Sequence, residues 1–461
     1  MKDFNLIEIA CAVGGRLDHA MGRELVKGVF TDTRKPINKG IFFCLEGTNF
    51  DGHDFAKQAE ELGAGAIVAR KKIDVEIPVI YVTDTVKALN DLASYYRGFF
   101  DIPLVGVTGS VGKTTTKDMT SLVLATKFNT IKTQGNLNNS IGMPMTLFSI
   151  DESTEAAVIE MGMNHFGEIS FLSKVARPTA AIITKIGTSH IENLGSRENI
   201  MKAKLEILDG ASKDAPLILN RDDDLLSKYV SQKRRVIFFG INDRFSEVRA
   251  LKVKLGDKSS DFQIEYRSKR YNVHLPVAGM HNVYDALAAF SAGIALGVDL
   301  EAAANAFTGY KPTGMRQQIE EIAGITLIED CYNASPDSVE ANLVTLSNMK
   351  ATRRIAVLGD MLELGDTSEQ SHYRCGQSCV KNNVNILFTY GVKSQATVRG
   401  AKDAGLRFAY NSDSATDLAR SLATMLLPGD VVLFKASRAM KLENVISDLK
   451  KKLKKKYKVS E

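Results

Sequence analysis

The sequence predicts an α/β protein of three domains: a small N-terminal α/β module, a central P-loop domain on a mostly parallel sheet, and a C-terminal doubly wound, Rossmann-like domain. Three observations carry this. The 461 residues are too many for one core, since a domain takes about 150. Apolar runs of four to six residues alternate with helical patterns along most of the chain, as strands buried on both faces do. A glycine-rich turn carrying a lysine stands between a strand and a helix near residue 110. Expected boundaries are 1–99, 100–313 and 314–461.

The first unit holds short strands in GIFFCL, AGAIVA and PVIYV, and ALNDLASYYRGFF closes it as an amphipathic helix. In the second, LVGVTG, AAVIEMG, AAIITKI, PLILN and VIFFG read as parallel strands. Val248 to Val277 alternates apolar and polar residues and reads as an antiparallel insert; HNVYDALAAFSAGIALG follows as a largely buried helix. Proline and glycine in YKPTGM mark the second boundary. The third unit has strands in ITLIED, RIAVLGD, ILFTYG and DVVLFKA.

Composition excludes several classes. Apolar content of 44% and charged content of 25% are those of a soluble globular protein. No apolar run approaches the roughly 18 residues of a membrane span, and MKDFNLIEIA does not read as a secretion signal. The five cysteines are scattered, without a C-x-x-C pair, as in a reduced cytoplasmic enzyme. The net charge is +5, yet residues 449–461 alone carry +6, which leaves −1 for the rest and argues against a nucleic-acid surface. That lysine tail reads as a solvated helix end or a frayed terminus. A cytoplasmic monomer, not embedded in a membrane, is expected.

The strongest chemical signal is the run Val105 to Thr116, VGVTGSVGKTTT. Gly109 and Gly112 let backbone N–H groups turn toward one anion, flanked by Ser110, and the helix N-terminus adds about half a positive charge. Lys113 can reach the β- and γ-phosphates of a nucleotide, and Thr114 or Thr115 can hold Mg²⁺. The spacing departs from G-x-x-x-x-G-K-[ST], because Val107 stands where the first glycine would. Glu160 ends the strand AAVIE, where a carboxylate sits in the ligand crevice and can bind a hard cation. His190 follows the next such strand and, taken alone, reads as a packed or capping histidine. Asn282 can read an adenine edge. Arg316 can neutralise a transferring phosphoryl group. Asp330, Tyr332, Asn333 and Ser335 lie in EDCYNASPDS, which by itself is also a good turn and helix start.

These segments, in order along nearly the whole chain, resemble the Mur ligase family. TGSVGKTTT is similar to the family's T-G-[ST]-x-G-K-[ST]-[ST] loop, GMHNVYDALAA to G-x-H-N-x-x-N-A-L-A-A, and DCYNASPDS to D-x-Y-N-A-[NS]-P-x-S. Asp285 stands where asparagine is common. The resemblance implies an ATP- and Mg²⁺-dependent ligase that activates a carboxylate as an acyl phosphate and couples it to an amine. It implies catalytic roles for Lys113, Lys204, His190 and Arg316, and nucleotide contacts from the loop, Asn282, Asp330, Tyr332 and Asn333. It makes Thr114, Glu160 and His190 Mg²⁺ positions. In NIMKAKLEI it points to Lys204 as a lysine carbamylated in several members, with Lys202 as a nearby decoy.

Further segments bear on the branch. TDTRK and LEGTNFDGHDF resemble an N-terminal UDP-sugar module and nominate Thr33, Arg34, Asp51, Gly52 and His53. QGNLNNSIGMP, with Asn138 and Asn139, and LGDMLELG are similar to the branch that adds D-alanyl-D-alanine to UDP-N-acetylmuramoyl-tripeptide; Ser335 joins the substrate set. KASR, Lys435 to Arg438, is similar to the family's K-G-S-R, with Ala436 for glycine. A tripeptide-adding or folylpolyglutamate-type ligase is the alternative. A GTPase-like switch lacks a guanine-reading N-K-x-D segment, and a catalytically dead scaffold is disfavoured by the presence of Lys113, Glu160, His190 and Arg316.

Overall fold

The structure, a computed structural model, describes residues 2–18, 22–47 and 50–458. The last three residues of the lysine tail and two residues of the GTNF segment therefore lie outside the described residues. Among these residues the strands form four sheets, of nine, six, five and two strands.

In the nine-stranded sheet, Leu104–Thr108 lies between Ala156–Glu160 and Ala180–Ile183, parallel to both. Every residue of these three strands is buried, as expected where helices cover both faces. The chain places Thr130–Lys132 and Ala156–Glu160 on one side of Leu104–Thr108 and all later strands on the other. The carboxyl ends of the three strands thus flank a topological switch point, where such sheets bind ligands. Beyond Val236–Gly240 the character changes as expected. Val248–Leu255, Ser260–Tyr266 and Lys269–Leu275 form an antiparallel meander with alternating burial.

The N-terminal five-stranded sheet is parallel except for its edge Arg16–Asp18, and Phe4–Asn5 pairs separately with Leu25–Val26. Its closing helix runs Thr85–Arg97, starting earlier than the sequence pattern indicates. The Asp84 side chain explains the start, since it accepts from the Lys87 N–H at 2.9 Å and caps the helix. This helix welds the module to the central unit. The buried Tyr96 hydroxyl donates to the Ile150 carbonyl (2.5 Å) and accepts from the Lys2 amide (3.0 Å). Arg97, also buried, donates to the carbonyls of Ala176, Phe100 and Ile102. One continuous apolar core runs from Phe4 and Leu6 through Leu92 and Tyr96 to Ile159 and Ile183.

The six-stranded sheet of the third unit is parallel but for the hairpin Gln318–Ile322/Ile325–Glu329. Its core lies on two faces around Ile355–Leu358 and Val431–Phe434. Five edge strands escape the sequence reading: Arg16–Asp18, Val29–Phe30, Thr130–Lys132, Gln318–Ile322 and Ala409–Ser412. An edge strand pairs on one side only, so it tolerates polar residues and loses the apolar signature. The lysine-rich tail is a helix end, as one of its two readings had it, with Lys451 and Lys455 exposed. It belongs to a packed helix, Leu442–Tyr457, whose Leu442, Val445, Ile446, Leu449 and Leu453 are buried. Lys450 pairs with Glu320 (2.6 Å) and Glu329 (2.5 Å), and Lys456 donates to the carbonyls of Ala423, Thr424 and Leu426 at the end of helix Ala415–Met425. No described helix is long and apolar enough to cross a membrane.

Tyr96→Phe removes the donor to a buried carbonyl and leaves the ring in place. Urea unfolding should show a loss of about 1–2 kcal/mol with an unchanged m-value.

Candidate active site

A cavity of about 360 Å³ opens between the central sheet's carboxyl ends and the third unit. Its floor is the predicted loop. Gly109 (φ +153°) could not carry a Cβ, which would lie 1.8 Å from the Thr184 hydroxyl; at Gly112 (φ +88°) a Cβ would lie 2.3 Å from a carboxylate oxygen of Asp285. The loop is pinned from beneath: the Ser110 amide donates to the Lys185 carbonyl (2.8 Å) and the Thr184 hydroxyl to that of Val111 (2.5 Å). Helix Lys113–Leu124 then aims its first-turn amides at the cavity. The Ser110 hydroxyl is buried without a hydrogen-bond partner among the described residues. Lys113 donates to the Gly109 carbonyl at 2.8 Å. It is half-buried by surface yet closely surrounded; desolvation, then the nearby Arg316, holds its pKa below the ordinary lysine value, and Glu160 opposes them.

Glu160, 1% exposed, stands beside the loop. One of its oxygens accepts from the Thr114 hydroxyl (2.8 Å) and the other from the Asn138 amide (2.7 Å). A buried carboxylate flanked by a hydroxyl and an amide is an oxygen-rich set that suits a hard divalent cation. His190 also lines the cavity, in a left-handed conformation (φ +64°), but its Nδ1 lies 2.8 Å from Glu363 of the third unit. That bond holds Glu363 below the usual carboxylate range. Lys204 does not line the cavity. It lies behind it, 1% exposed, and makes no hydrogen bond or ion pair among the described residues. Burial, reinforced by the charge of Lys113, drives its amine well below the ordinary value, which favours the neutral form.

The opposite wall carries the other predicted residues. Asn282 donates to the Ala278 carbonyl (2.7 Å) and to Gln317 (2.6 Å). Arg316 stacks on the Tyr332 ring, 3.9 Å from its centroid. Asp330 accepts from Lys435 (3.0 Å) and from the Asn342 amide, and Lys435 also donates to the Asn333 carbonyl (3.0 Å). Asn333 turns its side chain onto the Ala334 amide (2.9 Å). Ser335 caps helix Pro336–Asn348 in a reciprocal box with Ser338. Thr115 and Asn139 line the cavity too, Asn139 accepting from the Gly142 amide at 2.8 Å.

Thr33, Arg34, Asp51, Gly52 and His53 do not reach this cavity. They lie on the N-terminal module, where Thr33 donates to Gln58 (2.9 Å) and exposed Arg34 pairs with Asp32 (2.8 Å). Asp51 bridges the ring and amide of His53 and also pairs with Lys71. Sequence reasoning missed the sites of Lys435, Gln317, Asn342, Glu363 and His281. Lys435 and Glu363 had signals, in KASR and LGDMLELG; Gln317 and Asn342 had none, being ordinary polar residues until the fold apposes them. His281 sits inside GMHN, and burial pushes its pKa down to about 4, so it stays neutral.

Comparison with known proteins gives three family matches: the Mur ligase family, catalytic domain, over residues 25–97; the Mur ligase middle domain over 107–293; and the Mur ligase, glutamate ligase domain over 315–438. The UDP-N-acetylmuramoyl-tripeptide–D-alanyl-D-alanine ligase of Bacillus subtilis is 40% identical over 435 residues, covering 92% of this chain and 93% of its own. The protein of that name from Escherichia coli is 34% identical, covering 91% and 93%. Among solved structures, MurF of Acinetobacter baumannii superposes with a TM-score of 0.91 at 30% identity, covering 98% of this chain and 99% of that one. MurF ligase of Thermotoga maritima in complex with ADP gives 0.83 at 30% identity, covering 94% and 99%.

The Asp330–Lys435 pair is nearly closed to solvent. Lys435→Met leaves the Asp330 carboxylate without its cation, and chemical denaturation should report a loss of about 3–5 kcal/mol.

Proposed function

The chain belongs to the Mur ligase family, and from that premise we propose that it joins UDP-N-acetylmuramoyl-tripeptide to D-alanyl-D-alanine at the expense of ATP, in peptidoglycan precursor synthesis. Relatives of that name match nearly end to end, and the ADP complex of the Thermotoga maritima protein supports nucleotide use. The observation that carries the reading is one cavity in which an anion-binding loop, a buried carboxylate cradle and the cations of a second domain converge.

On this reading residues 1–99 hold the UDP-sugar end through Thr33, Arg34, Asp51, Gly52 and His53. Residues 100–313 bind ATP, and 314–461 close over it. The loop amides, the free Ser110 hydroxyl and Lys113 take the terminal phosphates. Lys113 needs only to exchange the Gly109 carbonyl for a phosphate oxygen. A carboxylate oxygen of the tripeptide attacks the γ-phosphorus and ADP departs, leaving an acyl phosphate. The dipeptide amine then attacks the acyl carbon, phosphate leaves, and the amine proton passes to solvent. Arg316 can swing from Tyr332 toward the charge that develops. Asn282 and Asp330 face the nucleoside, with Tyr332 and Asn333 beside them; Asn138, Asn139 and Ser335 meet the reacting peptide ends. Placement and charge stabilisation supply most of the rate.

Thr114, Glu160 and His190 would hold Mg²⁺, with a carbamate on Lys204 completing the set. When bound, the ion supplies positive charge to phosphate oxygens. A neutral, buried Lys204 amine is the form that attacks carbon dioxide, making an N–C bond and releasing a proton. The resulting anion turns its repulsion of Lys113 into attraction. The five free thiols suit the cytoplasm.

Purified protein given ATP, Mg²⁺ and both precursors should form the new amide, read by mass spectrometry together with ADP. A single amino acid offered in place of the dipeptide should not be consumed; its incorporation would assign another branch of the family. Lys113→Ala should lower turnover at least about 100-fold while unfolding cooperatively. With ¹³C-bicarbonate, wild-type protein should show a carbamate resonance that Lys204→Met lacks, and short carboxylic acids should restore part of that variant's activity.

A further inference from the structure

Asp285 is a carboxyl placed where a carboxylate is hard to accommodate. It sits on helix Met280–Ala295, 5% exposed, pressed against the phosphate loop at Gly112. One of its oxygens accepts from the Thr116 hydroxyl at 2.9 Å. The other makes no hydrogen bond, and the residue lines the cavity beside Lys113 and Thr115. No cation among the described residues pairs with it. Its charged and titratable neighbours are otherwise engaged. On the loop helix, Lys113 is bonded to the Gly109 carbonyl (2.8 Å), while Lys117 and Asp118 pair with each other (3.1 Å). On its own helix, His281 is neutral and Tyr284 donates to Asp222 (2.8 Å). On the connecting segment, Tyr310 holds its proton and Arg316 stacks on Tyr332. From the adjoining helices, Glu301 carries no bond to it and Asp337 pairs with Lys185 (3.2 Å). An ionised Asp285 would therefore face the anionic end of a nucleotide without compensation.

We infer that Asp285 works as a neutral carboxylic acid, accepting from Thr116 with one oxygen and donating through the other to an oxygen of the bound nucleotide, so that nucleotide binding requires one proton on this side chain. A protonated carboxyl offers the same donor and acceptor pattern as the amide of the asparagine common at this position. The inference rests on the nucleotide reading of the loop and adds to it a proton requirement. Burial pushes this carboxyl up to about 8, against an ordinary 3.8, with Thr116 pulling the other way. The sign follows. Nucleotide favours the protonated form, so affinity is full below that pKa and is lost as pH rises through it.

The test is the dissociation constant of ADP and of a non-hydrolysable ATP analogue, by calorimetry, for wild type and Asp285→Asn at several pH values. From pH 7 to pH 9 the wild-type constant should rise about tenfold more than that of the variant, which keeps every other titrating group. Equal pH profiles overturn the inference and leave the nucleotide reading intact. No binding at pH 7 sinks the nucleotide reading itself. Should Asp285→Asn fail to fold, infrared spectroscopy of the wild type decides. A protonated-carboxyl band at pH 7 that shifts on adding ADP supports the inference, and its absence refutes it.

Discussion

The working end of this molecule depends on one constraint: many hydrogen-bond donors must converge on a point where the protein itself supplies almost nothing to receive them. Successive amides, a hydroxyl and an ammonium group would ordinarily turn toward the nearest carbonyl. Here the backbone is forced into a turn that only glycine allows, and Thr184 and Lys185 occupy the underside of the loop. Lys113 finds only the Gly109 carbonyl, a neutral partner that a phosphate oxygen readily replaces. The rest of the architecture can be understood as holding that unsatisfied turn at the mouth of a parallel sheet.

The apposition of the third unit follows from the same need. The loop alone cannot stabilise charge on both sides of a transferring group. Contacts from Asp337 to Lys185 and the Thr188 amide, and from Glu363 to His190, set a second wall at the mouth of the loop. Beside these polar contacts, Ile191 of the central unit packs against the apolar core of the third, whereas the N-terminal module and the central sheet share one continuous core. The two boundaries of the chain therefore differ in degree: one shares a continuous core, the other joins polar pairs to a smaller apolar contact.

The sequence was most informative where chemistry or burial restricts residue choice. The three inner strands of the central sheet, the glycine turn, the meander and the main strands of the third unit were legible because period and composition leave few alternatives there. Edge strands such as Gln318–Ile322 were not, since half their backbone meets solvent and their side chains follow no strict pattern. The same division runs through the cavity. Lys113, Thr114 and Glu160 stood out because each is an unusual residue at a strand or helix end. Gln317 and Asn342 did not, because Gln317 meets Asn282 only where two domains join, and Asn342 meets Asp330 only once a strand end and the following helix pack together. Lys204 was legible as a position through resemblance alone; its unpaired burial, the property that matters chemically, is visible only in three dimensions.

The helix Thr85–Arg97 has a bearing on how such a protein can diversify. Its Tyr96 and Arg97 donate to carbonyls of the neighbouring unit, so the N-terminal module is not a detachable cassette. A lineage changing that module would have to rework its outer strands and loops while leaving its inner helix and the carbonyls it meets almost untouched. Innovation in recognition is thereby confined to the periphery, and the seam is inherited as a single piece with the catalytic sheet.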